Sequence, residues 1–259
     1  MLGTQFTTGS PCWIDLGSPD TEAAAAFYGA VLGWEFRPAG PGSGGYGFFQ
    51  QDGRTVGGLG PLTEEGAASA WTVHFHTRDA DAAQRTAEEA GATVRVPAFD
   101  VMDAGRMACL TDPGGADFAV WQPGRVRGLE RTSAPNTLVW VELHAADPEG
   151  VLGFYRALFG WRWAVMEAPG MSYRVVSTAA GDQREASFGG VAELQEDPGN
   201  PRWIPYIEVG DADATARAVE GAAGRILLPP ADIPDVGRLA WFEDPFGAPF
   251  AVLKPSPMG

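Results

Sequence analysis

A chain of 259 residues with 45% hydrophobic side chains can bury a core, and its length suits one large domain or two small ones. It carries 33 acidic against 18 basic residues, a net charge of −15, so it lacks the cationic surface that nucleic acid or an anionic membrane would need.

In chain order, Cys12–Leu16 alternates apolar and polar and reads as a strand. Asp20 then starts a helix whose apolar face holds Ala23, Phe27, Ala30 and Val31, and Gly33 stops it. Strands follow at Glu35–Arg37, Tyr46–Gln50 and Thr55–Leu59. Gly42-Ser43-Gly44-Gly45 is a hairpin loop, since no helix follows to make it a phosphate cradle. The order repeats: a strand at Trp71–Thr77, a helix from about Asp81 to Ala90, and strands at Thr93–Val96, Arg106–Leu110 and Phe118–Trp121. Each half is thus a βαβββ unit.

The second half of the chain copies the first. CWIDLGSPDTEAAAAFYGAVLGWEF, from Cys12, matches VWVELHAADPEGVLGFYRALFGWRW, from Val139, with Trp13 over Trp140 and Phe27-Tyr28 over Phe154-Tyr155. Further on, Trp71 matches Trp203, Gly105-Arg106 matches Gly237-Arg238, and Asp112-Pro113 matches Asp244-Pro245. The spacing shows that the second copy has gained about five residues, placed in STAAGDQREAS as a longer hairpin loop. The aperiodic, turn-rich PGRVRGLERTSAPNT is the linker, so the domains are expected at 8–124 and 137–256, joined by 125–136.

Strand parity sorts the side chains. If Cys12, Ile14 and Leu16 face the helix, then Trp13 and Asp15 face the opposite, concave side. The same argument places Thr72, His74 and His76 there, and in the second copy Leu138, Trp140, Glu142 and His144, then Ile204, Tyr206 and Glu208. His144, just before the AADP turn, is expected at the rim. Most of the nine Trp read as core. Cys12 and Cys109, in apolar runs and without a CxxC, read as reduced core thiols of a cytoplasmic protein. The first residues lack a basic start followed by an apolar run, and no stretch approaches 18 apolar residues, so neither a signal peptide nor a membrane span is expected.

Four βαβββ units, FY-x3-[LF]-GW after each first helix and DP-x-G-x2-F-A-V closing each copy resemble the vicinal oxygen chelate superfamily, which includes glyoxalase I, extradiol dioxygenases and bleomycin-resistance proteins. The resemblance implies an α+β fold of tandem domains, with curved mixed sheets around cavities. It also implies a metal held at four cavity positions. Those positions read Pro11 or Trp13, Gly57 or Gly58, Thr72 and Ala119 in the first copy. In the second they read Leu138 or Trp140, Gly189 or Gly190, Ile204 and Ala251. None is a ligand, so neither metal nor cofactor is expected. His74 and His76 would form a two-histidine site only if a carboxylate such as Asp15 completed it.

Without a metal the resemblance leaves two activities. One is binding of an aromatic or polycyclic molecule, of secondary-metabolite or antibiotic type. Trp13, Phe48, Trp121, Trp140, Tyr46, Tyr173 and Tyr206 would be the walls, and Asp15, Glu142, His74, His76 and Glu208 would be polar anchors. The other is metal-free proton transfer in the first copy, by Asp15 with His74 or His76. A protein-interaction scaffold is a third, different reading. The partner expected is a small molecule. The chain would be a monomer built as an intrachain pseudo-dimer, or a homodimer. There is no P-loop, no dinucleotide-binding glycine motif and no GxSxG.

Overall fold

The computed structural model describes residues 2–63, 66–168, 171–194 and 201–256. In the first repeat the elements run β1 (Pro11–Ser18), α1 (Thr21–Leu32), β2 (Glu35–Pro38), β3 (Gly47–Gln51), β4 (Arg54–Pro61), β5 (Ala70–His76), α2 (Ala80–Glu89), β6 (Thr93–Val101), β7 (Gly105–Thr111) and β8 (Asp117–Pro123). The second repeat follows the same order: β9 (Leu138–Ala145), α3 (Pro148–Phe159), β10 (Arg162–Ala168), β11 (Met171–Ser177), β12 (Ser187–Glu193), β13 (Arg202–Glu208), α4 (Ala212–Gly221), β14 (Arg225–Ile233), β15 (Gly237–Glu243) and β16 (Pro249–Pro255). The fold is α+β, with two eight-stranded mixed sheets in the orders β2-β3-β4-β1-β5-β8-β7-β6 and β10-β11-β12-β9-β13-β16-β15-β14.

Each helix starts on an aspartate that accepts a backbone N–H three residues on: Asp20 from Ala23, Asp79 from Ala82, Asp147 from Gly150 and Asp211 from Ala214. The Asp79 cap starts α2 at Ala80, slightly ahead of its expected start. Gly33 and Gly160 end α1 and α3 at φ 70° and 72°, a left-handed conformation that costs glycine little. Two elements differ from the sequence reading: α1 buries Ala24, Phe27, Tyr28 and Leu32 and leaves Ala23 and Ala30 exposed, and β6 is longer. β6 runs on to Val101, because register shifts in its pairing with β7 keep the two strands together beyond Val96. The extra residues lie where expected: β3 and β4 are joined by Asp52-Gly53, β11 and β12 by residues 178–186.

By contacts the chain divides into two compact units, each drawing one half from each repeat. One comprises Met1–Trp13, Thr72–Gly128 and Trp140–Ile204, the other Ile14–Trp71, Leu129–Val139 and Pro205–Gly259. This division and the repeat boundary at 125–136 are different partitions of the chain.

In the first unit the core gathers Phe75, Phe118, Tyr155, Trp161, Phe188 and Trp203, and the Phe75 ring lies 5.1 Å from those of both Trp161 and Trp203. Tyr155 donates to Asp112 Oδ2 at 2.9 Å and accepts from Trp203 Nε1 at 3.0 Å. Burial, then the Asp112 charge, push the Tyr155 phenol well above its usual range. The second unit repeats this with Tyr28, which donates to Asp244 Oδ2 at 3.4 Å and accepts from Trp71 Nε1 at 3.0 Å. So the FY and DP motifs meet: the tyrosine after each first strand is tied to the aspartate of a DP turn from the other repeat. Six tryptophans, including Trp34, Trp71, Trp161 and Trp203, are buried.

The linker is pinned. Val126 accepts from Trp121 Nε1 in the first unit, while Glu130 exchanges two hydrogen bonds with Thr55 in the second. Cys12 is fully buried, whereas Cys109 is only half buried, a departure from the core thiol expected there. Among the described residues no helix is long and apolar enough to cross a membrane.

Candidate functional site

In the first unit, β9 carries Trp140, Glu142 and His144 on one face, as parity predicts. Two strands away, Tyr173 on β11 reaches across β12 to Glu142. Gly190 makes this possible. It is in register with Glu142, and a Cβ there would lie 2.0 Å from the Tyr173 oxygen, so only a glycine leaves room for the ring. The Tyr173 hydroxyl donates to Glu142 Oε2 at 2.7 Å and accepts from Trp140 Nε1 at 3.0 Å. The other carboxylate oxygen, Oε1, is 2.8 Å from His144 Nε2. Glu142 and His144 are each 7% exposed, so His144 is a buried partner of the carboxylate rather than a rim residue. Burial, then the adjacent Glu142 charge, push the Tyr173 phenol well above its usual range, which keeps it a neutral donor.

The second unit holds the counterpart from the first repeat. Tyr46, just before β3, crosses β4 above Gly58 and donates to Asp15 Oδ2 at 3.1 Å. Gly58 is in register with Asp15, and a Cβ there would again lie 2.0 Å from the phenol oxygen. At the position of His144 this copy has Gly17.

The remaining expected site residues fall in several settings. In the first unit, Trp13 and Trp121 are buried, and Trp121 lies over Gly105. His74 is 2% exposed and in register with Ala119. His76 is half-buried, and burial, then Arg78, lower its pKa below the usual 6.5. In the second unit, Phe48 packs edge-on to Tyr46. Tyr206 accepts from Trp241 Nε1 at 2.9 Å, the two lying in register on either side of Ala251. Burial raises the pKa of the half-buried Glu208. Asp15 belongs to one unit and His74 and His76 to the other.

Sequence reasoning missed the Trp241–Tyr206 bond and the junction of Tyr173, Glu142 and His144. The available signal was the glycine in register with the carboxylate. A depression of about 350 Å³ between the start of α3 and the Pro113–Gly114 turn includes none of these side chains.

A model of the Glyoxalase/Bleomycin resistance protein/Dioxygenase superfamily matches residues 12–120 and 137–252, once in each repeat. The chain belongs to this superfamily. Among its relatives, "Putative glyoxylase CFP32" of Mycobacterium bovis is 40% identical over 98% of each chain. "Anthracycline biosynthesis protein DauV" of Streptomyces sp. (strain C5) is 37% identical over 97% of this chain and 95% of its own. The solved Mn(II)-bound glyoxalase from Novosphingobium aromaticivorans has the same fold, with a TM-score of 0.64 at 18% identity over 97% of this chain and 89% of its own.

That superfamily structure holds a metal, so the donor set here needs testing against one. A zinc or first-row site needs about three to four converging N, O or S ligands. Glu142 and His144 are two, and a phenol donates to each of the carboxylates Glu142 and Asp15. Among the described residues no group of three or more His, Cys, Asp or Glu is placed to hold a metal ion. Gly58 and Gly190 lie under tyrosine rings and offer no donor side chain. These residues do not fit a metal.

Proposed function

We propose that this superfamily member binds a small aromatic or polycyclic molecule of secondary metabolism, without a metal, in the second repeat. The observation that carries the reading is the polar chain Trp140–Tyr173–Glu142–His144. It sets a few oriented hydrogen-bonding groups beside a half-exposed indole, the composition of a site for a flat organic ligand. The name of the Streptomyces relative supports a polycyclic ligand of anthracycline type. The net charge of −15 supports a small-molecule partner over nucleic acid.

The test is a tryptophan-fluorescence titration of chelator-treated protein with an anthracycline aglycone. Saturable quenching is expected, with affinity about tenfold weaker after Trp140→Ala. If quenching never saturates, or returns only when a divalent metal is added, the reading is overturned.

A further inference from the structure

In the second unit, strands β13 to β16 present two faces. Ile207, Ala240, Phe242 and Val252 lie on the face that α4 covers, and all are buried. The opposite face is apolar and only half covered. Register gives it two rows across the strands, Tyr206–Ala251–Trp241–Leu228 and Glu208–Leu253–Leu239–Ala231. Tyr206 and Trp241 meet over the small Ala251 through their 2.9 Å hydrogen bond, so the first row stands as an aromatic wall. Along the second row Glu208, Leu253, Leu239 and Ala231 are all half-buried. They form a shelf of alkyl side chains that ends on one carboxylate.

The charge of Glu208 has no counter-ion. Among the described residues its side chain makes neither an ion pair nor a hydrogen bond, and only its backbone is bonded, to Asn136 and Thr137. The cations of the neighbouring strands are engaged elsewhere. Arg238 and Lys254, in register, belong to the helix face, where Arg238 is tied to Asp213 of α4, and Arg225 is tied to Glu243. Burial raises the Glu208 carboxyl above its ordinary range with nothing to offset it. A carboxylate in such a setting gains most from a cation that brings its own hydrogen-bond donors. The first repeat has His76 at this position, with Trp121 beside it, and burial and Arg78 lower the pKa of that imidazole. Only the second repeat offers an anion here.

We propose that this face binds an organic cation, with a protonated amine on Glu208 and an apolar or aromatic body laid over Leu253 and Leu239 against the Trp241 wall. The site does not rest on the binding reading above, whose residues belong to the other unit. Two strand spacings put Leu239 about 10 Å from Glu208, the span of a bicyclic amine. Just past the shelf, a depression of about 420 Å³ is lined by Ile233, Gly237 and Pro255, the next residues of this face, and by Arg238 and Lys254. A longer body has room there. Its amine does not belong there, because two cations line the depression, and this orients the ligand with its charge on Glu208.

The probe is naphthylmethylamine, with naphthalenemethanol as its uncharged counterpart, each titrated by calorimetry at about pH 7. The amine should bind at least about tenfold more tightly than the alcohol. Glu208→Gln should bring the amine down to the affinity of the alcohol and leave the alcohol unchanged. Leu239→Ala should weaken both by about three- to tenfold, because it removes apolar contact and no charge. Failure of the amine to bind the wild type overturns the proposal. So does equal affinity for the two compounds, or an amine advantage that survives Glu208→Gln. A ligand-free check uses the same variant: it removes a desolvated charge without a partner, so its urea unfolding at about pH 7 should show no loss of stability. A clear loss would reveal a partner for Glu208 and overturn the assignment. Failure of the aglycone titration described above leaves this site standing, since none of its residues lies in that unit.

Discussion

The buried face beneath the helices and the face that carries Tyr46 and Tyr173 use the same residue types to different ends. Beneath the helices, Tyr155–Trp203–Asp112 in one unit and Tyr28–Trp71–Asp244 in the other match residue for residue. On the other face the tyrosine and its glycine are repeated, but the acid changes from Asp15 to Glu142 and Gly17 gives way to His144. The duplication has been kept where an orphaned polar group would cost folding energy. It has diverged on the face that carries Tyr46 and Tyr173. Identity between the copies therefore marks structural support.

The comparison can be sharpened by substitutions, in falling order of effect. Tyr155→Phe strands the Trp203 indole N–H and one Asp112 oxygen in the core and should cost about 2–4 kcal/mol in urea unfolding. Tyr28→Phe should cost less, about 1–2 kcal/mol, because its bond to Asp244 is already long at 3.4 Å. Equal costs would break the idea that both networks are supports graded by geometry.

Next come Gly190→Ala and Gly58→Ala, each of which pushes a methyl group into a phenol. Both should lose about 1–3 kcal/mol. Only the first should also change the His144 nitrogen spectrum, and a change in neither would remove the cradle argument.

Smaller effects follow pH. Burial raises the Asp112 carboxyl above its ordinary value of 3.8, so the folded state holds that proton longer than the unfolded chain. Its contribution is full below about pH 4 and is lost as pH rises through the folded value. Asp112→Asn should therefore show its largest deficit at the acid end of a pH series of unfolding curves. The smallest effect belongs to His76, whose pKa is lowered by burial and by Arg78. Its contribution is present above 6.5 and fades as pH falls through the folded value. His76→Gln should flatten the slope of melting temperature against pH between about 7 and 5, and an unchanged slope counts against it.

Most of the fold is legible in the sequence, because each level of it repeats. The alternation at Cys12–Leu16, the Asp caps and the matched FY, GW and DP positions each occur in both copies, so a chance pattern is hard to sustain twice. Parity also placed Trp140, Glu142 and His144 on one face. It could not show that Tyr173 spans a whole strand to reach Glu142, because that depends on sheet order and on which glycine stands opposite which acid. The nearby AADP turn points to a rim position for His144, yet chain distance to a turn says little about burial on a strand whose neighbours cover it. The compact units were hidden for a related reason: they join Asp112 to Tyr155 and Tyr28 to Asp244 across 43 and 216 residues. No local pattern encodes such a pairing.

The glycine under each phenol also imposes mutual exclusion. A side chain at position 190 and a tyrosine ring from position 173 claim the same space, 2.0 Å apart at closest approach. A superfamily member that places a donor side chain on this strand must give up the tyrosine, and one that keeps the tyrosine must leave the strand bare. Passage between these two designs therefore takes at least two substitutions, and the glycine, compatible with either neighbour, is the intermediate through which it goes.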